Sequence, residues 1–275
     1  MENNDPRWAK YQTLLDHLRG FGSALVAFSG GVDSTLLVAA VKESGISYLA
    51  VTALSPTMPA RDRADVQAVV AELGLLHRYI ESGEIEDSNF VKNGPDRCFF
   101  CKSDLFQRLT ALARLEGLAV VLDGSTVDDL ADYRPGRQAQ QQFAVRSPLQ
   151  ESGLSKAEVR WFARERRLKS WDKPASPCLS SRISYGEPIV LASLRMVEEA
   201  ENRLRELGFE TLRVRKQGET ARIELPEGDI ARLLDPTLRH RITVALLQTG
   251  FKYVSLDLEG FQSGKLNRVV MADSV

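Results

Sequence analysis

Short apolar runs alternate with helix-compatible segments through the first two-thirds of the chain. Residues 24–28, Ala-Leu-Val-Ala-Phe, form a continuous apolar stretch, as expected of a strand buried on both faces of a parallel sheet. A glycine turn leads into residues 34–42, apolar and helix-compatible, which end near Gly45. Residues 48–52 predict the second strand, and 60–73 a helix that Gly74 closes. Residues 77–80 and 119–123 predict two further strands, with a helix over 103–116 between them. Ser155-Lys156-Ala157-Glu158 has the form of a capping box and opens another helix. This β-α-β-α order implies parallel crossovers, and hence an α/β fold with a doubly wound, Rossmann-like parallel sheet.

The pattern breaks over residues 173–182, Lys-Pro-Ala-Ser-Pro-Cys-Leu-Ser-Ser-Arg. Beyond it the period changes. A helix over 189–207 precedes two alternating strands, 212–215 and 221–225, joined by a turn containing Gly218. A helix over 236–248 and a strand over 253–258 follow. The boundary is therefore expected near residue 183, with a doubly wound domain over 1–183 and a smaller α+β domain over 184–275. No internal repeat or low-complexity tract is visible.

A length of 275 residues fits two domains better than one. Lysine and arginine number 36 and aspartate and glutamate 37, a net charge of −1, which argues against a nucleic-acid partner. No apolar run approaches the ~20 residues that cross a bilayer, so no membrane role is expected. The N-terminus carries no basic region followed by an apolar segment, which points to a cytoplasmic protein. Three cysteines cannot all pair among themselves, and in a reducing compartment they point to thiol or metal chemistry.

The most informative segment is Ser29-Gly30-Gly31-Val32-Asp33-Ser34-Thr35, where a buried strand runs through two glycines directly into a helix. Glycine lets peptide N–H groups approach a ligand, and a helix N-terminus adds unsatisfied donors and partial positive charge. Ser29, Ser34 and Thr35 add hydroxyls. The arrangement reads as a phosphate cradle, without the lysine of a Walker loop or the spacing of a dinucleotide fold. A glycine turn with a serine cap is the plainer alternative, set aside here because strand, hydroxyls and Asp33 coincide. The motif is similar to the signature of the PP-loop ATP pyrophosphatases. That resemblance implies binding of ATP and Mg2+, adenylation of a carbonyl or carboxylate oxygen, and release of pyrophosphate.

Cys98-Phe99-Phe100-Cys101 is a CxxC pair, and Cys178 stands alone in the breaker-rich stretch. A CxxC by itself fits a redox pair, half a zinc site or two buried thiols. His17, His77 and His240 show no ligand spacing with the cysteines, which disfavours a four-ligand zinc site. Three thiolates without a fourth suit an iron–sulfur cluster with one iron open to an exogenous ligand such as sulfide.

Further segments fall in the order of one family. They are Asp123-Gly124-Ser125, Asp132-Tyr133-Arg134-Pro135-Gly136, Arg146-Ser147-Pro148-Leu149, residues 174–186, Arg213-Val214-Arg215, residues 221–226 and residues 256–264. Over nearly its whole length the chain resembles the LarE family of ATP-dependent pyridinium-3,5-biscarboxylic acid mononucleotide sulfurtransferases. The resemblance implies conversion of substrate carboxylates to thiocarboxylates in nickel-pincer nucleotide synthesis, and a homo-oligomer. Some members sacrifice the sulfur of a single cysteine. This chain resembles instead the three-cysteine branch, which implies a 4Fe-4S cluster held by Cys98, Cys101 and Cys178 and reloaded by a sulfide or other sulfur donor.

On residues 212–215 a period of two separates Leu212 and Val214 from the two arginines. Alternation alone reads as a solvated sheet face. Two adjacent arginines can also hold a phosphate, and the resemblance places Arg213 and Arg215 at an anion site with Ser181, Glu201 and Glu224. The family has an acidic position where this chain carries Arg232. In the resulting scheme Gly30, Gly31, Ser29 and Ser34 hold ATP phosphates, Asp33 orients Mg2+ or the loop, and Arg182 meets developing negative charge. Rival readings are a PP-loop tRNA thiolation enzyme, sacrificial transfer from Cys178, and an adenine-nucleotide sensor without catalysis. The small cysteine count and the absent basic surplus weigh against the first, and the three cysteines against the last.

Overall fold

The computed structural model describes residues 5–130, 135–262 and 264–268. The motif residues Asp132, Tyr133, Arg134 and Ser263 lie outside the described residues. The chain divides into two compact units, Met1–Glu84 with Cys98–Ser176, and Ile85–Arg97 with Pro177–Val275.

The first unit is a doubly wound sheet. Its four strands are β1 (Ser23–Ala27), β2 (Ser47–Leu54), β3 (His77–Glu81) and β4 (Val120–Leu122), in the spatial order β3-β2-β1-β4, all parallel. Its principal helices are α1 (Arg7–Phe21), α2 (Val32–Ser44), α3 (Ala60–Leu73), α4 (from Arg97, the last residue of the inserted segment, to Leu115) and α5 (Lys156–Glu165). The continuous apolar run of β1 is explained by its two faces. Ala24 and Val26 enter a layer with Leu14, Leu36 and Phe162, whereas Leu25 packs with Leu49, Phe106 and Leu109 on the other side. The predicted capping box is present: Ser155 accepts from the Glu158 N–H, and the Glu158 carboxylate accepts from the Ser155 N–H.

Two differences from the sequence pattern matter. Helix α1 is not among the predicted elements, although Tyr11, Leu14, Leu15 and Leu18 recur at helical spacing and are all buried. Helix α4 begins six residues before the predicted start, just after Gly94 and Pro95, and so takes Cys98 and Cys101 into its opening turns.

The second unit contains α6 (Leu191–Glu206), β5 (Arg213–Gln217), β6 (Thr220–Glu224), α7 (Pro236–Gln248) and β7 (Tyr253–Leu256). Strand β6 is central, antiparallel to β5 and parallel to β7. Val214, Ala221 and Ile223 are buried, as the alternation requires. No helix among the described residues is long and apolar enough to cross a membrane.

Candidate functional site

In an open parallel sheet, ligands bind outside the carboxyl ends of the strands where the strand order reverses. Here that point lies between β1 and β4, and the loops leaving these two strands are the glycine loop and Asp123-Gly124-Ser125. Strand β1 hands over through Phe28, whose N–H donates to the Val51 carbonyl at 2.8 Å. The loop then turns at Gly30, where φ is +69°. A Cβ there would stand 2.9 Å from Val66 Cγ2 and 3.2 Å from Val66 backbone atoms, so only glycine fits.

The Ser34 hydroxyl ties the loop together. It lies 3.1 Å from Ser29 Oγ, donates to the Gly31 carbonyl at 3.2 Å and accepts from the Ser29 N–H at 3.3 Å. Gly31 is the residue before helix α2, and no side chain caps the helix start. Asp33 is half-buried in the first turn. Uncapped amides at the start of a thirteen-residue helix form an anion-binding surface.

The opposite wall is close. A Cβ on Gly124 would lie 3.0 Å from Ser34 N and 3.2 Å from the Asp33 carbonyl carbon, so backbone passes against backbone. Asp123 is buried and accepts hydrogen bonds from Ser147 Oγ at 2.7 Å, Ser125 Oγ at 3.0 Å, the Ser125 N–H at 3.2 Å and Gln140 Nε2.

A lysine also reaches the glycine loop. Lys173 Nζ donates to the Gly30 carbonyl at 3.4 Å and pairs with Asp65 at 2.7 Å and Asp62 at 3.5 Å. Ser176 Oγ donates to the other Asp62 oxygen at 2.7 Å. The stretch 173–176 is thereby fastened to the loop and to the first turn of α3.

Cys98 is exposed and Cys101 half-buried. Three residues apart on α4, they share one helix face. Cys178 belongs to the second unit, where its side chain is exposed and its backbone is firmly held. The Cys178 carbonyl accepts from Ser181 Oγ at 2.7 Å, the Ser181 N–H at 3.0 Å and Arg182 Nη1 at 3.1 Å. Among the described residues no three cysteine, histidine, aspartate or glutamate side chains are gathered as a metal centre.

The polar face of the second sheet is buried, which alternation alone did not anticipate. Arg182 (1%), Arg213 (5%), Arg215 (2%), Glu201 (2%) and Glu224 (0%) are all removed from solvent. Arg215 grips Glu224 through two contacts of 2.9 and 3.0 Å, and Arg182 grips Glu201 through contacts of 2.9 and 3.3 Å. Burial pushes the Glu201 carboxyl upward, but Arg182 and Arg205 outweigh it and hold the group below its ordinary range.

Arg213 differs. Among the described residues no carboxylate pairs with it, and its guanidinium lies 4.9 Å from the centre of the Phe261 ring. Burial, reinforced by the Arg182 and Arg215 cations, pushes it down to about 10. Glu224 and Glu201 offset part of that from a distance, and the group stays charged at neutral pH with no carboxylate in contact among the described residues. A cavity of about 580 Å³ in the same unit is lined by Tyr185, Arg222, Asp257, Glu259, Lys265 and Arg268, and by none of the predicted arginines. Arg232 donates to the Gly208 carbonyl and to Asp229, both at 2.9 Å.

Within the first unit, then, Ser29, Gly30, Gly31, Asp33 and Ser34 form one loop, and Cys98 and Cys101 one helix face. Within the second, Ser181, Arg182 and Arg215 form one network, since Arg182 Nη1 donates to Ser181 Oγ and the Ser181 carbonyl accepts from Arg215 Nη1, while Arg213 is buried with no hydrogen bond to any of them among the described residues. Sequence reasoning missed Lys173 and the hydrogen-bonding role of Asp123. The first sat among breakers and gave no signal, whereas the second stood at a strand end beside a glycine.

No family model matches the chain. Over 264 residues it is 44% identical to an uncharacterized protein from Synechocystis sp., covering 94% of this chain and 98% of that one. Over 260 residues it is 37% identical to the pyridinium-3,5-bisthiocarboxylic acid mononucleotide synthase of Lactiplantibacillus plantarum, covering 94% of each. An uncharacterized protein from Methanocaldococcus jannaschii is 29% identical over 241 residues, covering 87% of this chain and 90% of that one.

Proposed function

The chain belongs to the LarE-like family of PP-loop pyridinium nucleotide sulfurtransferases, and on that premise we propose that it adenylates a carboxylate of pyridinium-3,5-biscarboxylic acid mononucleotide and converts it to a thiocarboxylate, in the synthesis of a nickel-pincer nucleotide in the cytoplasm. The observation that carries this reading is end-to-end similarity to a synthase of the bisthiocarboxylic mononucleotide, in a chain whose glycine loop ends at uncapped helix amides.

The amides of Gly31 and the first turn of α2 hold the ATP phosphates, with the Ser29 and Ser34 hydroxyls at hand. Lys173 adds a positive charge beside the loop. Mg2+ is held by one or two carboxylates together with phosphates and water, and Asp33 in the first turn of α2 suits that role. A substrate carboxylate oxygen attacks the α-phosphorus and pyrophosphate leaves. Sulfur then attacks the acyl carbon, and AMP carries away the original oxygen. Arg213 is the cation available for the mononucleotide phosphate, with Arg182, Arg215 and Ser181 shaping the site around it.

The donor set of Cys98 and Cys101, side by side on one helix face, suits two ligands of a 4Fe-4S cluster, and Cys178 supplies the third. Such a cluster, when bound, supplies sulfide from an open iron. The second unit also contributes to assembly of a homo-oligomer.

The test is anaerobic reconstitution with iron and sulfide, followed by incubation with ATP and the pyridinium biscarboxylate. Pyrophosphate release that depends on the substrate, with a thiocarboxylate seen by mass spectrometry over several turnovers, is expected. A single turnover with loss of the Cys178 sulfur would transfer the role to sacrificial chemistry. Pyrophosphate release that ignores the pyridinium compound would overturn the reading.

A further inference from the structure

Residues 85–97 belong to the second unit although the chain on both sides of them belongs to the first. Asn93 fastens this segment. It is fully buried, with φ at +56°, a conformation that asparagine tolerates better than other side chains. Its N–H donates to the Phe90 carbonyl at 3.0 Å, and its own carbonyl accepts from the Gly186 N–H at 3.1 Å. Its Nδ2 donates to the carbonyls of Ser184 at 2.8 Å, Glu187 at 3.0 Å and Ile183 at 3.4 Å. The remaining atom, Oδ1, accepts from Arg97 Nη1.

Arg97 is the first residue of α4 and is 4% exposed, with its guanidinium 5.0 Å from the centre of the Tyr185 ring. Its Nε is buried without a hydrogen-bond partner among the described residues. A cation at a helix start opposes the helix dipole, and an unsatisfied buried N–H costs stability. Neither feature serves stability, whereas the Asn93 carboxamide and the Tyr185 ring hold the residue to which Cys98 is joined. An aspartate at position 93 could not replace the asparagine, because a carboxylate would face three carbonyl oxygens.

We infer that Asn93 and Arg97 are positioning residues for the thiol pair: Asn93 clamps Arg97, and Arg97 sets where the opening turn of α4 presents Cys98 and Cys101. The inference rests on the sulfur-transfer reading above, and two measurements on the full chain keep the two separable. Asn93→Gly is the informative variant, since glycine accepts the left-handed backbone at no steric cost and only the carboxamide is lost.

Amide hydrogen exchange of the unloaded protein is expected to quicken about tenfold over residues 101–105. Iron bound after anaerobic reconstitution is expected to fall about tenfold, as for other groups that orient ligands. ATP affinity by calorimetry stays unchanged. Phe90→Leu, in the same segment, lowers the melting temperature and alters neither readout. Unchanged exchange in Asn93→Gly, iron loading equal to that of a parent that does take up iron, or equal iron loss in Phe90→Leu would overturn the inference. If the parent chain takes up no iron, the cluster reading fails alone, and the exchange data still decide whether Asn93 positions the helix.

Discussion

The glycine loop and the arginine face of the second sheet, the two anion sites of the proposed reaction, are made from different materials. In the loop the recognition groups are peptide amides and hydroxyls, and what keeps them open is missing side-chain volume at Gly30 and Gly124. On the sheet the groups are full charges, packed until Arg182, Arg213, Arg215, Glu201 and Glu224 are all buried. Uncharged dipoles at a helix start carry little desolvation cost, so such a site survives exposure and is specified by backbone geometry. Buried guanidinium groups are expensive unless paired, so the second site is specified by which arginine is left without an acid. Volume defines one site and charge balance the other.

The contrast is broken most severely by removing an acid from the second unit. Glu224→Ala leaves Arg215 buried and unpaired, and a loss of about 3–5 kcal/mol in chemical denaturation is expected. Gly30→Ala attacks the first region through space alone. Forcing a Cβ into a left-handed residue against Val66 should cost about 1–3 kcal/mol and abolish ATP binding by calorimetry. An alanine that binds ATP normally would show that the loop is not shaped by that contact.

Arg213→Met sharpens the comparison, because it removes the cation without an acidic partner and should leave denaturation unchanged or slightly improved. Its effect should appear in KM for the pyridinium mononucleotide, raised roughly thirtyfold if about 2 kcal/mol of charged hydrogen bonding is lost. Lys173→Ala should raise KM for ATP about tenfold and leave the pyridinium KM alone.

The smallest effect concerns His77, whose ring lies 2.8 Å from Thr52 Oγ1, the hydroxyl that donates to the Phe28 carbonyl at the end of β1. Burial lowers the His77 pKa from its ordinary value of 6.5. The unfolded chain therefore binds the proton more readily below that value, and stability is lost as pH falls from neutrality. Melting curves between pH 7 and pH 5 should decline less steeply in His77→Gln.

The sequence pattern was most legible where local rules governed. The strand over 24–28, the glycine turn and the helix after it follow from burial on two faces and from left-handed backbone at Gly30. The start of α4 was misplaced at Ser103, a cap-type residue, although Asp96, another, stands immediately before Arg97, and there the Gly94 carbonyl accepts from the Arg97 N–H and Asn93 Oδ1 accepts from the Arg97 side chain. The buried arginine face was hidden for a different reason. A period of two separates apolar from charged positions, but it cannot tell a charged face in water from one whose charges cancel each other. Arg215 stands directly opposite Arg222 in the strand pair, so its acidic partner Glu224 lies on the diagonal, a contact that only the register reveals. Lys173 was invisible because its target carbonyl lies 143 residues earlier in the chain.

The assignment of residues 85–97 to the second unit also bears on the order in which the polypeptide can mature. During synthesis this strip leaves the ribosome well before the carbonyls of Ile183, Ser184 and Glu187 that Asn93 needs, so it must wait in an unfinished state while the first sheet assembles around its ends. Severing the chain after Ser176 would leave that strip with its hydrogen-bonding groups orphaned, and the downstream fragment would lack a piece of its own interior.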